Sequence, residues 1–298
     1  MLLANFFEQV YIPKRLRGKS QNSIRLYRLC IKRFAETIGR QPNVSDLTES
    51  NILRHLSRRS GVAPATRNKE LSELKAMWRL ASQMGHLETW PDIMDEPEPE
   101  RDPIAWMPSE LNRLLDHLTR LQGNVGEIPA WLWWSGIVRV ILDSGERIGA
   151  VLAMEWHWLQ GEYLRVPAEA RKGKTRDRTY QLNPQTLQIL DLIRPYNRSR
   201  QVLPYPKHKN YLWSEFRNHV ADAGLPTGRK YQFHCLRKTV GSAVYAAGHD
   251  PQDALDHSDR RTTQRYLDPR ATRKHTTCDI LAAYLANPRR DDRQQGTG

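Results

Sequence analysis

The sequence predicts a mainly α-helical chain with a small antiparallel β-sheet, arranged as two domains. Three observations lead there. At 298 residues the chain is long enough for two ordinary cores. Apolar residues recur at helical spacing on both sides of a proline-rich break, and β-type patterning is confined to one stretch of the second half. The first domain, residues 1–90, reads as a helical bundle. Ser23 is expected to cap a helix in which Ile24, Tyr27, Ile31, Phe34 and Ile38 face inward and which Gly39 ends. Its other side carries Arg25, Arg28, Lys32 and Arg33. A shorter helix follows Thr48, with Ile52, Leu53 and Leu56 inward, and a third starts near Pro64 and stops at Gly85.

Residues 91–107 change character. Pro97, Pro99, Pro103 and Pro108, set among acidic residues, favour an extended linker. A helix restarts near Pro108 with Leu111, Leu114, Leu115 and Leu118 on one side. The apolar stretch from Ala130 to Leu142 contains Arg139 and is too short to span a bilayer, so it reads as a buried core helix. Trp158-Leu159, a turn at Gln160-Gly161 and Tyr163 to Val166 form a hairpin, and a basic turn leads to a third strand near Thr179 to Leu182. Helices resume after Pro184, and the polar tail, residues 287–298, is expected to be disordered.

The charge balance narrows the partners. Lys and Arg number 46 against 33 Asp and Glu, a formal charge of +13, which favours a polyanion. Cys30, Cys235 and Cys278 lie far apart and offer neither a disulfide framework nor a zinc site. The N-terminus lacks the features of a signal peptide, so a soluble cytoplasmic protein without a membrane partner is expected, nucleoid-associated if bacterial.

Phosphodiester exchange passes through a transition state with extra charge on the non-bridging oxygens, which metals or arginines must balance. The acids are scattered and form no two-metal cluster. Metal-free candidates are present. Arg147 follows a buried helix and a glycine turn in SGERI. In FHCLR, His234 and Arg237 are three apart, on one helical face. In LDHSDRRTTQRYLDP, His257 precedes Tyr266 by nine residues; Thr262 or Thr263 is expected to start the helix bearing Tyr266, and Pro269 to end it. A tyrosine is a suitable nucleophile because its phosphotyrosine keeps the bond energy for religation.

In order and spacing, SGERI, RKGKTR, HCLRKT and LDHSDRRTTQRYLDP resemble the catalytic domain of tyrosine recombinases, the phage integrase family, over residues 108–286. The N-terminal bundle is similar to that family's core-binding, SAM-like domain. The resemblance implies that Arg147 and Arg237 clamp the scissile phosphate and that His257 donates to a phosphate oxygen. It further implies that His234 is the general base for Tyr266, the nucleophile, and that Lys172 is the general acid for the leaving 5′ oxygen. Lys174, two residues on, is equally able to reach phosphate. No cofactor, metal or ATP is implied. The partner is double-stranded DNA, with Arg25, Arg28, Lys32, Lys75, Arg79, Arg171, Lys174 and Arg176 as candidate contacts. A short amphipathic helix between His275 and Leu285 implies a homo-tetramer on two DNA sites. A type IB topoisomerase and a catalytically inactive DNA-binding accessory protein are the rival readings.

Two departures from the family pattern stand out. An acid is usual three residues after the first arginine, where this chain has Ala150, and Glu155 is too far along to replace it. Asp256 replaces the glycine before the second histidine, and the helix before His257 is expected to be truncated.

Overall fold

The computed structural model describes residues 1–171, 173, 176–272 and 277–286. The chain divides into two compact units, Met1–Glu100 and Arg101–Gly298.

The first unit begins with helical pieces that sequence periodicity did not reveal: α1 (Leu3–Phe6), a π-helical turn (Phe7–Tyr11) and α2 (Ile12–Arg15). Three longer helices follow: α3 (Gln21–Ile38), α4 (Glu49–Arg58) and α5 (Pro64–Gln83). The cap of α3 is Ser20, not Ser23; the Ser20 hydroxyl accepts from the Ser23 amide at 3.2 Å, and Gly39 ends the helix at φ 83°. Thr48 caps α4, but Leu53 is exposed and His55 faces inward instead. His55 is tolerated there because Thr37 and Glu70 satisfy its two ring nitrogens at 2.9 and 3.1 Å. The extended segment after α5 is held to this unit rather than left free. Asn68 bonds the backbone of Glu96 in both directions at 2.8 Å, and Lys75 donates to the Ile93 carbonyl at 2.6 Å.

The second unit is built around α7 (Ala130–Ser144), whose residues are buried on nearly every side. Before it come α6 (Pro108–Leu118) and a short antiparallel ribbon, β1 (Asn124–Val125) with β2 (Ile128–Pro129). Then α8 (Ile148–Leu152) leads to a three-stranded antiparallel sheet, β3 (Leu159–Gln160), β4 (Tyr163–Val166) and β5 (Arg178–Gln181), in that order. Gln160 pairs with Tyr163, so the first turn falls on Gly161-Glu162, one residue later than expected. Val166 pairs with Arg178, and a 3-10 turn, Ala168–Ala170, follows β4. The helices α9 (Pro184–Ile193), α10 (Lys209–Asp222) and α11 (Phe233–Ala246) complete the core. The chain continues through α12 (Pro251–Ala254), α13 (Arg260–Gln264), α14 (Pro269–Thr272) and α15 (Thr277–Leu285). No described helix is long and apolar enough to cross a membrane.

Candidate active site

The site is assembled where α7 ends and α11 begins. Gly145 takes φ 63° and donates its amide to the Ile141 carbonyl at 2.8 Å, stopping α7 with a left-handed residue. Arg147 is then the N-cap of α8, half-buried, and its guanidinium takes no hydrogen bond or ion pair among the described residues.

Arg237, on the second turn of α11, is 1% exposed. One Nη donates to the Gly145 carbonyl and the other to the Leu255 carbonyl, tying the end of α7 to the end of α12. Its Nε is buried and has no hydrogen-bond partner among the described residues. Burial, then the nearby charge of Arg147, lowers the pKa of this guanidinium.

The second Nη of Arg237 also lies 3.2 Å from His257 Nε2. A guanidinium has no acceptor, so Nε2 must be the bare nitrogen and Nδ1 must carry the proton, which goes to Thr263 Oγ at 3.0 Å. Burial, then the charges of Arg237, Arg147 and His234, push the His257 pKa down to about 4. The ring is therefore neutral at pH 7.

Tyr266 follows α13 by two residues. That helix starts at Arg260 with Asp259 as its cap, earlier than Thr262, and Pro269 opens α14 rather than closing the tyrosine's helix. Tyr266 is 8% exposed. Its ring stands edge-on to His257 at 4.4 Å and to His234 at 4.9 Å, with the Arg237 guanidinium carbon 5.8 Å away. Ser242 fixes the backbone beneath it, donating to the Tyr266 carbonyl at 3.2 Å while accepting from the Asp268 amide at 2.9 Å. Asp268, 1% exposed, accepts from the Ala105 amide at 2.8 Å, which pins the start of this unit beside the tyrosine segment.

The structure thus brings Arg147, His234, Arg237, His257 and Tyr266 to one place. Lys172 and Lys174 lie outside the described residues. Of the other candidate contacts, Arg25, Lys32 and Arg79 are exposed, and Arg28 is exposed but paired with Glu8 at 2.7 Å. Lys75 is drawn onto its own unit's backbone at Ile93.

Arg171 needs a correction as a surface contact. It is 5% exposed and donates to Glu146 at 2.5 Å and to Asp256 at 2.7 Å. Its cost of burial is met by two carboxylates, so it holds the loop to the site instead of facing solvent. Arg176, exposed, pairs with Asp256 as well.

Sequence reasoning missed Glu146. This carboxylate, 1% exposed, accepts from Arg171, from the Tyr180 hydroxyl at 2.7 Å and from the Arg147 amide at 3.2 Å. These hydrogen bonds and the Arg171 charge overcome the effect of burial and hold its pKa below the usual value. Ala150 is simply buried, and Glu155 is engaged elsewhere, with Arg200 at 2.6 Å. Acidic bracing therefore comes from the residue just before Arg147. Asp256 has a separate explanation: at φ 51° it occupies the left-handed backbone conformation that favours glycine and that Asp tolerates better than most residues. Its carboxylate then serves the arginine cluster. The short α12 matches the truncation expected before His257.

The family model of the phage integrase family matches residues 107–273. The chain belongs to the phage integrase family. It is a tyrosine recombinase, an enzyme of site-specific DNA recombination. Solved structures share its fold. A λ integrase(75–356) dimer bound to a COC′ core site aligns at TM-score 0.71 and 18% identity, over 93% of this chain and 99% of that one. The Tn1549 transposon integrase (residues 82–397) in complex with a circular intermediate DNA aligns at 0.72 and 13%, over 96% and 100%. XerH site-specific recombinase bound to a palindromic difH substrate aligns at 0.71 and 16%, over 96% and 88%. No curated protein matches the chain by sequence.

Proposed function

We propose that Tyr266 is the nucleophile with which this recombinase cuts and rejoins duplex DNA. The observation that carries the reading is the setting of the tyrosine ring, flanked by His234 and His257 with Arg237 beneath. The phenolic oxygen attacks the scissile phosphorus as the bond to the 5′ oxygen breaks, giving a 3′-phosphotyrosine and a 5′-hydroxyl. The phenolic proton passes to His234. Lys172 supplies the proton for the leaving oxygen, with Lys174 as the alternative donor. Arg147, whose fork has no partner among the described residues, and the Nε of Arg237, which has none there either, bind non-bridging oxygens, where the extra negative charge of the transition state develops. The partner strand's hydroxyl then displaces Tyr266, so the covalent link carries the energy from one junction to the next.

The related structures include dimers on core-site DNA and a λ integrase tetramer bound to a Holliday junction. By analogy this chain works as a tetramer on two DNA sites, with the exposed Ile280, Leu281 and Leu285 of α15 as the contact to a neighbouring protomer. A cytoplasmic, nucleoid-associated location fits that work.

The test is a denaturation-resistant adduct on nicked duplexes selected from random sequence, formed with EDTA present. Wild type yields an adduct mapping to Tyr266, and Tyr266→Phe binds the same DNA without forming one; an adduct in the variant refutes the assignment. Arg147→Ala and Arg237→Ala each slow cleavage by about 10²- to 10³-fold. A 5′-thio leaving group rescues Lys172→Ala and not Arg237→Ala; rescue of Lys174→Ala transfers the general-acid role.

A further inference from the structure

We propose that His117, His219 and Asp222 form a transition-metal site that clips α6 to α10, separate from the Tyr266 cluster. Each of the three offers one ligand atom, and these atoms all lie within 4.8 Å of one another. His219 and Asp222 are three apart near the end of α10, on one helical face. His117 comes from the last turn of α6, which packs against α10, and the two imidazoles stand 5.6 Å apart.

A second observation points to a ligand. His117 Nε2 and His219 Nδ1 are both buried, and neither has a hydrogen-bond partner among the described residues. Buried polar atoms rarely lack a partner, and two on adjacent imidazoles share one explanation if they bind a common ion. His219 is also held in place, its ring edge-on to Trp134 at 4.6 Å.

The donor set selects the metal. Two imidazoles and one carboxylate suit zinc, nickel, cobalt or copper, whereas magnesium and calcium prefer oxygen donors. Tetrahedral zinc with bonds of 2.0–2.1 Å needs ligand atoms about 3.4 Å apart, so the site must contract on binding. Asp222 is exposed, so its carboxylate lies on the solvent side of the site, where water would complete the coordination of a bound ion. The ion would fasten the first helix of the second unit to its core.

The test uses the full-length chain without a histidine tag, stripped with EDTA and titrated with zinc alone by calorimetry and thermal denaturation. One zinc per chain is expected, with Tm raised by roughly 5–10 °C at a hundredfold excess over Kd and no response to magnesium. Cobalt bound to wild type should show the visible absorption of a four-coordinate site. Asp222→Asn, at an exposed position that does not threaten folding, should weaken zinc binding at least tenfold. His117→Gln/Asp222→Asn should abolish it while circular dichroism stays native. Absence of zinc binding by wild type overturns the proposal, and so does unchanged binding in the double variant, which would move the ion to other histidines.

Discussion

Glu146→Ala removes the carboxylate at the centre of the site's buried charge network. The loss leaves Arg171, whose side chain is 4% exposed, with Asp256 as its one carboxylate partner among the described residues. Removing one partner of a buried ion pair costs about 3–5 kcal/mol, and the surviving Asp256 contact places this case near 3. The Tyr180 hydroxyl loses its acceptor too, adding about 1 kcal/mol. A total of about 4 kcal/mol, at about 2–4 °C per kcal/mol for a unit of this size, lowers Tm by roughly 8–16 °C. Glu146→Gln keeps an acceptor without the charge and should fall by about half as much. Thermal denaturation followed by circular dichroism measures both. The network reading also requires Glu146→Ala/Arg171→Ala to be less unstable than the two single losses added together, by about 1 kcal/mol or more. A Tm for Glu146→Ala within about 2 °C of wild type, or strict additivity in the double variant, would refute the reasoning.

Other perturbations have equally definite outcomes. Gly145→Ala places a side chain at φ 63° with its Cβ 3.2 Å from Leu255, and should cost about 1–3 kcal/mol in chemical denaturation; a neutral result would mean that the turn rearranges. Asp256→Gly keeps the backbone conformation but leaves Arg171 with Glu146 alone and takes Arg176's carboxylate away, whereas Asp256→Val loses the same contacts and adds strain at φ 51°, so valine should be the less stable by urea midpoint. The pKa values of Glu146 and Asp268 are lowered by their hydrogen bonds and arginine partners. Their stabilisation is therefore present above the ordinary carboxylate range and lost as pH falls through the folded values. A stability–pH profile should drop below about pH 4.5, and Glu146→Gln should flatten part of that drop; an unchanged slope would remove Glu146 as a contributor.

Helices α3, α5 and α6 were legible because apolar residues recur over several turns, and α7 because its apolar run contains Arg139 and is too short to span a bilayer. The one-turn helices α8, α12 and α13 carry no such repeat. That Arg147, Arg237, His257 and Tyr266 come together was legible from the order and spacing of their motifs. The Arg171 role was hidden, since an arginine in a basic turn looks the same in sequence whether it meets solvent or two carboxylates. Those carboxylates sit 25 residues before it and 85 after it. Glu146 was hidden for another reason: the family pattern puts an acid at position 150, while in this chain the bracing charge lies one residue before Arg147 instead of three after it. The start of α3 slipped by one turn because Ser20 and Ser23 both satisfy the rule for a capping residue. Leu53 was assigned inward by periodicity, but the inward position went to His55, which periodicity counts as polar.

If Arg237 binds the scissile phosphate as proposed, most of its guanidinium is committed before any phosphate is present. Both Nη groups are committed to carbonyls at the ends of α7 and α12, so they fix the geometry of the site and have few hydrogen bonds left to give. The Nε remains, buried and without a hydrogen-bond partner among the described residues, and is the donor left for an arriving anion. His257 is in a similar state. Its Nε2 faces the Arg237 donor, so in the neutral form it accepts there and cannot donate to a phosphate oxygen. An arriving phosphate offsets the positive charges of Arg237 and Arg147 that depress this imidazole, and so favours its protonation. On this reasoning the proton that allows His257 to donate arrives with the DNA. The clamp then becomes complete only when the group it must stabilise is already bound.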